Sequence, residues 1–515
     1  MRNRNQVVLP INLEISIPKG DFVFKVAEIC EELDYTNLYK EYYRENRIYD
    51  PVSLFEVLVY GYMVGKTSAR ALEEACKTDI RFMWLIQHEP KAPSFNTLNR
   101  FKFTRLAPVI EDLFYQFVMK LYEMEEVDFK NIFVDGTKIE ANANKYTHVW
   151  RTFVEKSLVK LNEKIQKQIP VLRERYGFGD CTSVEDLYEN LINQARWLNI
   201  VFVNGKGKRK TQLQRDIEQL EGWIAKKQEY IDAFGVFKGR KSFSKTDKDA
   251  TFMHMKEDYY LKNGNLKPGY NIQIGVENEY IIGVGSFNNR NDVQTLIPFL
   301  ERMRTHTNKT IERVIADAGY ESIENYLYLE ENGQECFIKP QNYEQSKKRK
   351  YKNNPYLAEN MEYNAVKDEF TCARGRKLKF QGETIRKTAN GYYTKDRYYR
   401  NEKCGKCPHR DKCHKSKNDY RTVKVNIDFK KYREKAFENI LSEEGAMLRM
   451  NRSIQVEGAF GVIKQDYGFT RFLSRGTKNI ETEFFLYAIA FNFNKLCTRA
   501  KKGKIGFKLH ELKCS

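Results

Sequence analysis

Two apolar runs each end abruptly in an aspartate. Ile132-Phe133-Val134 stops at Asp135-Gly136, and Val314-Ile315-Ala316 stops at Asp317-Ala318-Gly319-Tyr320. A short run that is apolar on both faces reads as a buried strand covered on either side. From Lys267 onward the pattern continues in kind. KPGYNIQIGVENEYIIGVGSF gives two β-rich runs around Glu277-Asn278-Glu279, a hairpin signal. A helical pattern (NDVQTLIPFLERMRT), the second Asp-ended run, another helical pattern (ESIENYLYLEEN, closed by Gly333) and a strand (ECFIKP) follow. The order strand, insertion, hairpin, helix, strand, helix, strand predicts an α/β domain with a mixed sheet. Each aspartate is then expected at a strand's carboxyl end, where open α/β sheets place their sites. A lone Asp-Gly after a strand is an ordinary turn; two such strands in one sheet favour a paired site.

The 515 residues allow about three domains at roughly 150 residues each. Residues 1–125 read as a helical domain, with Ser53, Ser68 and Ser94 as N-caps and SLFEVLVYGYMVGK as a core helix. SFNTLNRFKFTR sets Asn96, Asn99, Arg100, Lys102 and Arg105 among aromatics. Such a helix ends either a plain bundle or a helix-turn-helix-like module, with Arg100 and Lys102 as DNA contacts. Residues 126–150 hold the first strand. Residues 151–245 form a charged helical insertion, predicted as two packed helices from Leu158, Leu161, Ile165, Leu172 and from Leu213, Ile217, Leu220, Ile224, Ile231. Between them, Gly205 to Lys210 (GKGKRK) is a solvated loop or a tip that touches phosphates. The α/β domain resumes over 246–340, a Cys-rich segment spans 341–440, the last helices span 441–500, and 501–515 is a basic tail.

Charge identifies the class of partner. Lys plus Arg number 88 against 69 Asp plus Glu, a net +19. Spread over several segments, that surplus favours a polyanion, because each cation near a phosphate releases condensed counterions. A purely solubilising charge is the plainer alternative. Apolar residues at 41% exclude a disordered chain. No stretch reaches the ~20 apolar residues of a spanning helix, and Leu54 to Val64 is broken by Glu56. Met1 to Lys19 has no continuous apolar run, which predicts no signal peptide and a cytoplasmic protein.

Cys30, Cys76, Cys181, Cys336, Cys497 and Cys514 are scattered and read as reduced thiols. Cys404-x2-Cys407-x5-Cys413, with Cys372 upstream, can enclose one tetrahedral metal, His409 and His414 being competitors for the fourth place. Zn²⁺ is the default for such a donor set, an iron-sulfur cluster the alternative, and uncommitted thiols the plain reading. The charged surroundings from Gln345 to Tyr432 are poor in apolar runs, a reason for a structural metal.

A third acid, Glu457, lies in SIQVEGAFGVIKQDYG. As a helix this segment packs Val456, Ala459, Phe460 and Ile463, with Glu457 beside that stripe near Lys464. It is a surface Glu–Lys pair or an inward carboxylate. Three converging carboxylates can hold two Mg²⁺ (or Mn²⁺) ions for phosphodiester displacement. Arg452, Lys464, Arg471 and Arg475 around it suit a site that receives a polyanion.

FVDGTKIEANANKYTHVW, ADAGYES and NRSIQVEGAFGVIKQDYGFTRFLSRGTKN resemble the three signature regions of DDE transposases from bacterial insertion sequences. The likeness is to the eleven-eighty-two group, related to the insertion-sequence-four group, and extends over TDKDATFMHMKEDYYLKNGNLKPGYNIQIG and the N-terminal helices. It implies an RNase H-like core with Asp135, Asp317 and Glu457 as the metal-binding triad. It also implies a nucleoid-associated bacterial enzyme that cuts the terminal inverted repeats of its element. Joining the 3′-hydroxyls to double-stranded target DNA would follow, with at least a homodimer in the synaptic complex. A nuclease without strand transfer, or an inactive copy serving as a DNA-binding regulator, are the alternatives. The related group carries a Tyr seven and an Arg four residues before its Glu. Here Met450 and Ser453 stand there, with Arg452 five before, so a terminal hairpin step is not implied. Lys464 matches.

Overall fold

The computed structural model describes residues 16–42, 48–179, 181–205, 209–256, 258, 261 and 263–508. Part of the basic tip (206–208) and the end of the basic tail (509–515, with Cys514) lie outside them. The chain divides into two compact units, Glu140–Tyr270 and the remainder. In chain order the strands are β1 (Asn131–Glu140), β2 (His148–Trp150), β3 (Ser242–Ser244), β4 (Thr251–Met253) and β5 (Lys267–Glu277). They continue with β6 (Tyr280–Phe287), β7 (Arg313–Ala316) and β8 (Glu335–Ile338).

The larger unit is built on a mixed sheet. β5 and β6 form the antiparallel hairpin, turning through Asn278 and Glu279 at φ 46° and 68°. Asn adopts this left-handed conformation at little cost because its short side chain can bond locally. β1 lies next to β5, and β1, β7 and β8 run parallel. The helix Leu296–Thr307 lies close on this sheet because the hairpin is notched by glycines. A Cβ at Gly275, Gly283 or Gly285 would come within 3.1, 3.0 or 3.1 Å of the Phe299 ring. The α/β core with a mixed sheet is the architecture that the strand order predicts.

The N-terminal helices belong to the same unit as the sheet. Pro51–Met63 is buried on nearly every face and packs on the C-terminal helix Thr477–Lys501. Tyr62 meets Tyr487 edge-on at 4.8 Å, and Asn494 Nδ2 donates to the Met63 carbonyl at 3.0 Å. Ser68 and Ser94 cap their helices, but Ser53 does not. Asp50 is the cap there, accepting from Val52 N, because Pro51 occupies the first helical turn where its missing N–H costs nothing.

The Cys-rich segment carries a five-stranded antiparallel sheet that sequence pattern did not reveal. Its strands are β9 (Glu362–Asn364), β10 (Glu369–Thr371), β11 (Lys377–Lys387), β12 (Tyr393–Asn401) and β13 (Arg421–Val425), in spatial order β13-β12-β11-β10-β9. Met361, Phe370, Leu378, Tyr399 and Val423 form its core. That core is small, so the segment retains a reason for an added staple.

The unit Glu140–Tyr270 has three helices rather than two: Arg151–Tyr176, Val184–Trp197 and Gln212–Phe237. Ile165, Leu172, Leu187, Leu191, Leu213, Ile217 and Leu220 share one core, while Ile231 is exposed. The middle helix opens with a capping box in which Ser183 and Asp186 satisfy each other's backbone amides. β2 pairs with β3, and β4 pairs with the start of β5.

Candidate active site

Pairing places the two aspartates. Val134 is opposite Ala316 in the parallel β1–β7 ladder, so Asp135 and Asp317 follow side by side. Asp317 ends β7. Asp135 does not end its strand: β1 runs on to Glu140 because the longer β5 still flanks it after β7 has stopped. Each carboxylate has one oxygen held by a nearby glycine amide. Gly136 N donates to Asp135 Oδ1 at 2.8 Å and Gly319 N to Asp317 Oδ1 at 2.7 Å. Arg452 Nη1 donates to Asp135 Oδ2 at 3.2 Å.

Burial pushes the Asp135 carboxyl up to about 6, against the opposing pull of Arg452. Asp317 and Asp292 add to the rise through like-charge repulsion. Asp292 was not singled out by sequence, since an Asp before a helix reads as a cap. Its Oδ1 accepts from Asn271 Nδ2 at 2.6 Å and from Gln273 Nε2 at 2.9 Å. Gln273 is held in turn by the Tyr320 hydroxyl, which donates to its Oε1. Tyr320 is buried among these acids. Burial, then Asp292, Asp135 and Asp317, push its phenol well above the usual value.

Glu457 arrives by another element. The helix Glu443–Arg452 passes into a π-helical turn, Ser453–Glu457. Val456, Ala459, Phe460 and Ile463 are buried, while the Glu457 side chain is 60% exposed. Its Oε1 accepts from Ser453 Oγ at 3.4 Å and lies 3.8 Å from Arg452 Nη2. Arg452 thus stands between Asp135 and Glu457. A π turn bonds i to i+5, so an Arg five residues before the Glu falls on the face that an offset of four reaches in an α-helix. The one-residue departure is absorbed by the backbone.

The other sequence candidates fall into three groups. Lys464 Nζ donates to Thr137 Oγ1 at 2.6 Å, two residues beyond Asp135. Arg471, Arg475 and Arg100 are exposed. Lys102 is a correction: it is 5% exposed and donates to the Tyr62 hydroxyl at 2.6 Å. Burial lowers its pKa to about 8, and a side chain so placed does not reach a phosphate.

Cys372, Cys404, Cys407 and Cys413 line one small cavity with His409 and His414. Burial raises the Cys404 thiol, and the three other thiols add to the rise. Arg421 Nη1 donates to Cys413 Sγ at 2.6 Å. Among the described residues, no three His, Cys, Asp or Glu side chains stand close enough to enclose a metal ion, here or at the aspartates. No helix among them is long and apolar enough to cross a membrane.

Two family models match. One, described as Transposase DDE domain, covers residues 371–497; the other, Transposase domain (DUF772), covers residues 11–103. Glu457, Lys464 and the four clustered cysteines fall inside the first match, while Asp135 and Asp317 fall outside both. No curated protein and no solved structure matches the chain.

Proposed function

The chain is a DDE transposase of the insertion-sequence type, and from that premise we propose that it cuts the ends of its own element at the Asp135–Asp317 strand ends. The carrying observation is the Val134–Ala316 register, which sets two carboxylates together at the edge of a buried parallel pair. Transposases act on DNA, and the net +19 charge suits that partner.

The donors fit a divalent cation. Asp135, Asp317 and Glu457 offer hard oxygens, and the raised Asp135 carboxyl marks a surplus of negative charge that Arg452 offsets only in part. Two Mg²⁺ or Mn²⁺ ions held there would polarise the phosphate and activate the attacking oxygen. The chain's own groups prepare the site. Gly136 N and Gly319 N fix one oxygen of each aspartate, and Arg452 holds Asp135. Lys464, anchored near Thr137, faces the phosphate backbone. In cutting, a water oxygen bonds to phosphorus and the P–O3′ bond breaks, leaving a 3′-hydroxyl and a 5′-phosphate. In joining, that hydroxyl attacks a target phosphorus and displaces the target's own 3′-oxygen. Holding two ends at once calls for at least two copies of the chain.

Zn²⁺ at Cys372, Cys404, Cys407 and Cys413 would staple the small five-stranded sheet, whose core has only five buried apolar side chains. The test of the function is incubation with DNA carrying the flanks of its own gene, with Mg²⁺ or EDTA, beside Glu457→Gln. Mg²⁺-dependent nicks at defined ends, lost in the variant, and joined products in the wild type are expected. Nicks without joined products point to a nuclease instead; binding without cleavage under every condition removes the reading.

A further inference from the structure

Asp292 lies far in sequence from either motif aspartate, at the start of the short turn that leads into the helix Leu296–Thr307. Three observations bring its carboxylate to them. First, Asn271 and Gln273 of β5 both donate to Oδ1, while no hydrogen bond to Oδ2 is found among the described residues. Pinning one oxygen with two amides turns the other outward, which is how outer partners orient ligating carboxylates. Second, Gln273 is itself fixed by the Tyr320 hydroxyl, so the Asp292 carboxylate is tied to the same turn that carries Asp317. Third, the glycine after each motif aspartate leaves room for it. A Cβ at Gly136 would lie 2.9 Å from Asp292 Oδ1, and one at Gly319 would lie 3.5 Å from Asp292 Oδ2.

We propose that Asp292 is a further carboxylate ligand of the divalent cation held by Asp135 and Asp317. The inference rests on the metal-dependent reading of that pair given above. Three carboxylates this near one another repel, and burial strengthens the repulsion; a shared divalent cation converts the arrangement from costly to favourable. A purely structural role, Asp292 bracing β5 against the following turn, makes a different prediction. An asparagine there could still accept from Asn271 or Gln273, and cation affinity would be unchanged.

The experiment is Mn²⁺ binding to the full chain, followed by the loss of free-Mn²⁺ electron paramagnetic resonance signal, with folding checked by circular dichroism. Asp292→Asn is expected to weaken Mn²⁺ binding by about tenfold or more, within the ~10–100-fold range for groups that hold a metal site. Asp292→Glu, which keeps the charge, is expected to recover part of that loss. Wild-type affinity in folded Asp292→Asn, beside lost binding in Asp317→Asn, overturns this inference alone. Wild-type affinity in Asp317→Asn as well overturns the underlying reading. Should Asp292→Asn fail to fold, Asn271→Ala removes one of its two donors and leaves every carboxylate in place. A several-fold weakening there supports the assignment, and unchanged affinity refutes it.

Discussion

Replacing Asp135 with asparagine is expected to stabilise the metal-free protein while removing its chemistry. The carboxyl is raised from its ordinary 3.8 to about 6 by burial, with Asp317 and Asp292 adding. A carboxyl raised on folding contributes its full stability only below the unfolded value; stability is then lost as pH climbs from 3.8 to about 6. That span of roughly two pH units corresponds to about 3 kcal/mol at pH 7. The asparagine cannot ionise, so Asp135→Asn removes the loss, less whatever the Arg452 ion pair contributed. The assay is urea unfolding in EDTA at several values between pH 4 and 8. Wild type should lose stability across the window, and the variant should not. Adding Mg²⁺ should restore wild type, since a ligand that binds only the folded state stabilises it, and should leave the variant unmoved. A variant no more stable than wild type at pH 7, or equal stabilisation of both by Mg²⁺, refutes the reasoning.

Glu56 tests the same linkage away from the site: 8% exposed in the helix Pro51–Met63, it is raised to about 8 by burial, then by Glu31 and Asp50. The stability lost between pH 4.5 and 7 is roughly 3 kcal/mol, so Glu56→Gln should be more stable by about that much at pH 7 and equal near pH 4, read by denaturant midpoint. Gly136→Ala would drive its Cβ to 2.2 Å from Gln273 Nε2; a loss of about 1–3 kcal/mol is expected from such overpacking, with Asp292 displaced and cleavage reduced, checked by unfolding and by nicking assays. Purified protein is expected to carry about one Zn²⁺ per chain by metal analysis, and Cys404→Ser to lose it and to be cut faster by protease in the segment 341–440. Equal metal content in both proteins removes the cluster.

The sheet was legible because buried strands leave apolar runs that nothing else in a short segment explains. Ile132–Val134 and Val314–Ala316 are both fully enclosed, and the Asn278-Glu279 turn carries its own chemistry. Asp317 could be placed at a strand end from pattern alone. The length of β1 could not, since its continuation to Glu140 depends on β5, a partner 11 residues long and remote in sequence. Lys102 and Asp292 show the same limit from opposite sides. A lysine among aromatics reads as a surface cation, yet Tyr62, 40 residues earlier, receives it in the core. An Asp before a helix reads as a cap, yet Asn271 and Gln273 turn it toward the site. The Cys-rich sheet escaped notice because β11 presents charge along most of its length and buries little. The π turn before Glu457 is invisible to a helical pattern, and it is what lets Arg452 serve at an offset of five.

The central claim is that the paired strand ends form a cation-dependent DNA-cutting site. The most direct measurement is cleavage of end-labelled flanking DNA by Asp317→Asn beside wild type, with DNA binding measured in parallel. The account predicts Mg²⁺-dependent cutting by wild type, none by the variant, and near-equal binding by both. Cutting by Asp317→Asn at the wild-type rate would contradict it.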